Sequence, residues 1–84
     1  MNENLNQAEW LVIINPNAGN GKGKKDFDRI TGLLEREEIP FSVRFTEKKT
    51  QATDYAREAI ENGFRKIISV GGDGTLNEVI NGVF

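Results

Sequence analysis

Apolar positions follow two rhythms along this chain. Trp10-Leu11-Val12-Ile13-Ile14 is an unbroken run rich in β-branched residues, stopped by Asn15-Pro16-Asn17, and predicts a strand buried on both faces. Phe41, Val43 and Phe45 alternate with Ser42 and Arg44, which predicts a half-buried strand at a sheet edge. Ile67-Ile68-Ser69-Val70 predicts a third strand. Between these runs the spacing changes to that of helices. Phe27, Ile30, Leu33 and Leu34 mark a first helix, ended by Pro40, and Gly32 inside it costs roughly 1 kcal/mol relative to alanine. Ala52, Tyr55, Ala56, Ala59 and Ile60 mark a second, with Thr50 as N-cap and Gly63 as terminator. Leu76, Val79, Ile80 and Val83 form the stripe of a third.

The order is β-α-β-α-β-α without repeat or low-complexity linker. It predicts an α/β fold of three layers, α/β/α, with a parallel sheet, right-handed crossovers and helices on both faces. The expected strand order is 2-1-3, with the most apolar strand in the centre. The carboxyl ends of strands 1 and 3 then flank the switch point where open α/β sheets bind ligands. Two glycine-rich loops leave from those ends: Ala18 to Gly23, and Gly71-Gly72-Asp73-Gly74-Thr75. Residues 1–8 read as a flexible polar N-terminus. Phe84, on or beside an apolar helix face with no polar tail, reads as the cut end of a longer domain; a small complete domain that covers its edge by self-association is the alternative.

Composition narrows the chemistry. The chain has 84 residues, 37% hydrophobic and 29% charged, with a net charge of -2, the profile of one small globular domain with no global attraction to nucleic acid. It has no cysteine and no histidine, so carboxylates, lysines, hydroxyls and backbone amides must carry any reaction. No apolar run approaches a membrane span, and the polar N-terminal residues are the opposite of a signal peptide.

Gly71 to Thr75 joins a strand to a helix, so the free amides of the helix start point at whatever occupies the loop. Glycines let backbone adopt positive φ and approach a ligand closely, and a polyphosphate suits that geometry. Asp73 would repel a phosphate unless it holds a magnesium ion or takes a proton from an attacking hydroxyl. The plainer reading has Asp73 capping the helix in a tight βα turn. Neither Walker A, G-x-x-x-x-G-K-(S/T), nor the dinucleotide fingerprint G-x-G-x-x-G fits either loop, and an EF-hand would need more acidic ligands. Lys22, Lys24 and Lys25 sit unfavourably against a helix dipole. They, with Lys48 and Lys49, read either as anion contacts or as solvated surface, and Trp10 reads as core.

Three segments together resemble a known family. Asn15-Pro16-Asn17-Ala18-Gly19 is similar to the N-P-x-(S/A)-G opening of diacylglycerol kinase catalytic domains. Thr46-Glu47-Lys48-Lys49 with Ala52 resembles the threonine-led segment after their second strand. Gly71-Gly72-Asp73-Gly74-Thr75-Leu76-Asn77-Glu78-Val79-Ile80-Asn81-Gly82 is very similar to G-G-D-G-T-x-N-E-V-x-N-G. The family includes bacterial diacylglycerol and related lipid kinases, sphingosine kinases and ceramide kinases, and shares its fold with NAD kinases.

The resemblance implies that residues 9–84 are the N-terminal part of a nucleotide-binding kinase domain, truncated at Phe84. It implies ATP and Mg²⁺ as cofactors, transfer of the γ-phosphate to a lipid hydroxyl, and a cytoplasmic protein acting peripherally at the inner membrane surface. Asn15, Pro16, Asn17, Ala18 and Gly19 would line the nucleotide pocket and Thr46 would touch the nucleotide. Gly71, Gly72, Asp73, Gly74, Thr75, Leu76 and Asn77 would wrap the phosphates. Glu78 matches a nucleotide-side position described for the sphingosine kinase branch, Asp73 matches the aspartate proposed there as general base, and Asn81-Gly82 would shape the helix. The acceptor domain and further nucleotide contacts lie in sequence these residues lack, so the chain alone is expected to be inactive. An NAD kinase, which carries G-G-D-G-T on a related fold, and a non-catalytic nucleotide-binding module are the alternatives. Expected partners are ATP and a lipid such as diacylglycerol, not nucleic acid, with self-association open.

Overall fold

The computed structural model describes residues 10–17 and 21–84, with Lys22 by its backbone alone. Strand β1 (Trp10–Ile14), helix α1 (Lys22–Arg36), strand β2 (Phe41–Phe45), helix α2 (Gln51–Glu61), strand β3 (Lys66–Val70) and helix α3 (Asp73–Val83) follow in that order. The strands form one parallel sheet in the order β2-β1-β3. Trp10 pairs with Phe41 and Lys66, and Ile14 with Phe45 and Val70. The reading of residues 1–8 falls outside the described residues.

β1 is central as the most apolar strand, with Leu11 to Ile14 all buried. Leu11 and Ile13 project into a cluster with Ala52, Ala56 and Ala59 of α2 and Val79 of α3. Val12 and Ile14 project the other way, into a cluster with Leu34 of α1 and Val70, bordered by Phe27, Ile30, Ile39, Phe41, Val43 and Ile68. The period-two geometry of a strand thus sends successive side chains to two separate cores. α1 covers one face of the sheet, α2 and α3 the other. Trp10, at the strand's start, is half-buried rather than core, with the Lys66 ammonium 5.5 Å from its ring centroid.

The apolar stripes are partly displaced from their predicted places. On α3 the buried residues are Thr75, Val79 and Gly82, while Leu76, Ile80 and Val83 are exposed by 36–47%. The cause is the close approach of α2, whose facing residues are alanines. A Cβ on Gly82 would collide with the Thr53 carbonyl and stand 2.8 Å from the Ala56 methyl. Small residues set the seam, and the larger ones sit one position round the helix. Leu33 and Ile60, placed in stripes by spacing, and Phe45 on β2 are likewise exposed by about half; Phe45 stacks obliquely on Phe27 with centroids 5.3 Å apart.

The helix ends also differ in mechanism from the sequence reading. α1 stops before Pro40 in a Schellman turn: Glu38 N–H donates to the Glu35 carbonyl at 3.1 Å and Ile39 N–H to the Leu34 carbonyl at 2.9 Å. The left-handed position is held by Glu38, at φ 59°. α2 ends in the same way on Gly63, as predicted, with Gly63 N–H on the Ile60 carbonyl and Phe64 N–H on the Ala59 carbonyl. Thr50 does occupy the N-cap of α2, yet its side chain makes no capping hydrogen bond and its backbone is left-handed.

Candidate functional site

All three strands run in the same direction, so their carboxyl ends and the loops that follow share one edge of the sheet. Those loops are held to the strands by main-chain hydrogen bonds. Asn15 N–H donates to the Val70 carbonyl at 2.9 Å, and Thr46 N–H to the Ile14 carbonyl at 2.8 Å. The Thr46 hydroxyl donates to the same carbonyl at 3.4 Å, and the residue is buried. After β1 the chain turns at Pro16, where the Asn15 side-chain oxygen accepts from Asn17 N–H at 3.0 Å. This side-chain imitation of a backbone turn is the usual role of asparagine in such a position.

These segments enclose a cleft of about 380 Å³, lined by Asn15, Asn17, Thr46, Glu47, Lys48, Lys49, Gly72, Gly74, Thr75 and Glu78. The loop after β1, the loop after β2 and the start of α3 each form one wall. The first three amides of α3 have no intrahelical acceptor, which makes that wall a donor surface suited to an anion. Two lysines and two glutamates share the lining, so charge of both signs meets there.

The glycines of the third wall do different things. Gly71 has φ +155°, and a Cβ there would lie 2.5 Å from the Thr75 hydroxyl and 3.3 Å from the Asn15 Cβ; it is glycine chiefly because the Thr75 side chain lies over it. Gly72 is extended, at φ -167°. Gly74 is the second residue of α3, where glycine costs up to about 1 kcal/mol relative to alanine. A Cβ on either would meet nothing within 4 Å. The fold therefore leaves open space at both, and both line the cleft.

Seven of the predicted residues come together in the lining: Asn15, Asn17, Thr46, Gly72, Gly74, Thr75 and Glu78. Pro16 forms the turn between two of them. Gly71 packs behind the wall. Asp73, Leu76 and Asn77 are exposed on α3 and outside the lining. Ala18 and Gly19 lie outside the described residues, as does the side chain of Lys22. Lys24 and Lys25 are exposed on the first turns of α1 and do not line the cleft. Lys48 and Lys49, which read either as anion contacts or as solvated surface, do line it, together with Glu47, a member of the threonine-led segment to which the sequence assigned no role. Their position just after Thr46, at the carboxyl end of the strand beside β1, was the available signal.

Comparison with known proteins agrees with the fold. The family model for the diacylglycerol kinase catalytic domain matches residues 9–84. A diacylglycerol kinase of Staphylococcus saprophyticus is 39% identical over 72 residues, 86% of this chain and 24% of its relative. A ceramide kinase of Oryza sativa subsp. japonica is 32% identical over 76 residues, 87% of this chain and 12% of that protein. A solved structure described as a candidate diacylglycerol kinase from Bacillus anthracis str. Sterne matches with a TM-score of 0.76 at 32% identity, covering 89% of this chain and 27% of that one. The chain thus spans about a quarter, or less, of the length of these relatives.

Proposed function

The chain belongs to the diacylglycerol kinase catalytic domain family, and from that premise we propose that its cleft binds the phosphates of ATP for transfer of the γ-phosphoryl group to a lipid hydroxyl. The observation that carries the reading is the pair Gly72 and Gly74. Neither is required by packing, Gly74 weakens the helix it sits in, and both open onto the cleft. A ligand that must approach the backbone closely accounts for both, and a polyphosphate on free helix amides is such a ligand.

In this reading the amides at the start of α3 receive phosphate oxygens, with Lys48 and Lys49 closing the opposite side. Asn15 and Asn17 line the pocket beside the nucleotide, and Thr46 forms its floor. Asp73 takes the proton of the attacking lipid hydroxyl while the new O–P bond forms and ADP leaves. Its exposure on the first turn of α3 suits a group that meets an acceptor brought from outside these residues.

The donor set fits a magnesium ion only in partnership with phosphate. Among the described residues no three His, Cys, Asp or Glu side chains converge, but Glu47 and Glu78 line the cleft and Asp73 stands between two lining glycines. Mg²⁺ characteristically uses one or two carboxylates plus substrate phosphates, and when bound it would neutralise charge building up on the phosphoryl group. Among the described residues no helix is long and apolar enough to cross a membrane. A diacylglycerol-like acceptor would be met at the surface of the inner membrane, from the cytoplasmic side.

Two experiments test this. ATP with Mg²⁺ titrated into the chain should move the amide signals of Asn15, Asn17, Thr46 and residues 72–78. Changes confined to the separate groove around Leu11, Tyr55 and Phe64 would overturn the assignment. In the kinase that carries this chain, Asp73→Asn should lower lipid phosphorylation by about 10²–10⁴-fold, the usual contribution of a general base, with the fold intact. Near-normal turnover would remove Asp73 from its role.

A further inference from the structure

The wall of the cleft after β2 holds a shape that its own backbone does not favour. Thr50 sits at φ 71°, ψ -8°, a left-handed conformation that is a genuine outlier for a β-branched residue. Such a conformation costs roughly 1–3 kcal/mol and persists only where the surroundings over-determine it. The next residue closes the turn that precedes it. The Gln51 side-chain oxygen accepts hydrogen bonds from both Glu47 N–H and Lys48 N–H, the second at 2.9 Å, while Gln51 N–H returns to the Lys48 carbonyl at 3.4 Å. One amide oxygen therefore gathers two consecutive backbone donors of the turn. The residues so gathered, with Lys49 after them, line the cleft; Gln51 itself does not.

We propose that Gln51 is a positioning residue of the cleft: its side-chain oxygen clamps the Thr46–Lys49 turn, so that Lys48 and Lys49 are presented to an anion lying against Gly72–Thr75. The inference rests on the phosphate-binding reading of the cleft but not on the identity of the nucleotide. Without the clamp the turn relaxes away from the strained Thr50, and the two lysines must be ordered at each binding event. Ordering a rotamer-rich side chain on binding carries an entropy cost, and a preformed wall has already met it.

The test compares the wild-type chain with Gln51→Met and Gln51→Glu. Methionine keeps the length of the side chain and removes the acceptor; glutamate keeps the acceptor oxygen. Each variant is first checked for the dispersed amide spectrum of the folded chain. Exchange of the Glu47 and Lys48 amides should quicken about tenfold in Gln51→Met, as expected for loss of roughly one net hydrogen bond each, and stay slow in Gln51→Glu. Inorganic tripolyphosphate and ATP·Mg²⁺ should each bind roughly tenfold more weakly to Gln51→Met, the scale set by ordering two lysine side chains. Gln51→Glu should lie closer to wild type than to Gln51→Met.

Unchanged tripolyphosphate affinity in Gln51→Met would overturn the clamp, as would unchanged exchange at Glu47 and Lys48. A wild-type chain that binds tripolyphosphate but not ATP would overturn the nucleotide reading and leave the clamp standing. A wild-type chain that binds neither would overturn both.

Discussion

Gly82 and Gly32 offer the same chemical change in two surroundings, and the structure predicts opposite signs. At Gly82 an added methyl would run into the Thr53 carbonyl, lie 2.8 Å from the Ala56 Cβ and 3.1 Å from the Arg57 amide nitrogen. Two of these three are backbone atoms of α2, so relief requires the helices to part. Parting them also stretches the 2.8 Å bond from the Thr53 hydroxyl to the Glu78 carbonyl, worth about 0.5–1.5 kcal/mol. Overpacking of this kind costs typically 1–3 kcal/mol, against a gain of about 1 kcal/mol from better helix propensity. The net expectation for Gly82→Ala is a loss of about 0.5–3.5 kcal/mol. At Gly32, on the exposed side of α1, the methyl meets nothing within 4 Å. Only the propensity gain of about 1 kcal/mol remains, which should raise the melting temperature by roughly 4–8 °C in a domain of this size. Thermal and urea unfolding followed by far-ultraviolet circular dichroism measures both. If Gly82→Ala proves as stable as the wild type, the α2–α3 seam is not as close as described. If Gly32→Ala loses stability, the balance between propensity and packing has been misjudged.

Gly74→Ala should separate folding from ligand binding, since the added methyl strengthens α3 by up to about 1 kcal/mol while occupying the cleft. Unfolding should shift upward as ATP·Mg²⁺ affinity falls at least tenfold, and titration calorimetry showing undiminished binding would refute the cradle. Glu38→Gly should stabilise the chain by about 1 kcal/mol, because glycine releases the left-handed strain of a residue with a side chain; chemical denaturation reads this, and a loss would mean that Glu38 makes a contact worth more than its strain.

The architecture was legible because it depends on what periodicity measures well. An unbroken apolar run and a half-alternating one distinguish a central strand from an edge strand, and β1 and β2 occupy those places. The two loops at the carboxyl ends followed from the strand order, and with them Asn15, Thr46 and the glycines of the third wall. The faces of the helices were less legible. Spacing weights large apolar side chains, so it selected Leu76 and Ile80, whereas a close helix seam selects small ones such as Thr75 and Gly82. Left-handed Glu38 and Thr50 were invisible, since neither residue type favours that conformation. Both accompany hydrogen bonds formed only in the folded chain, the Schellman turn at Glu38 and the turn closed by Gln51 N–H on the Lys48 carbonyl beside Thr50. Lys48 and Lys49 carried no signal beyond adjacency to Thr46, because a solvated lysine pair and a cleft wall look alike in sequence.

The two-sided burial of β1 has a consequence for evolution of the site. On a strand with one greasy face, a slip of one residue is forbidden because it turns apolar groups to water. β1 would remain apolar on both sides after such a slip, so hydrophobicity alone does not lock its alignment with its neighbours. The locks lie at the strand's end, where the Ile14 carbonyl receives both Thr46 donors and Asn15 reaches Val70. A one-residue slide would move the cleft walls past each other by about 3.3 Å, more than a phosphate contact tolerates. A one-residue shift of β1 should therefore disturb the cleft well before it exposes the core, and Thr46 is the point at which strand alignment and cleft geometry are fixed together.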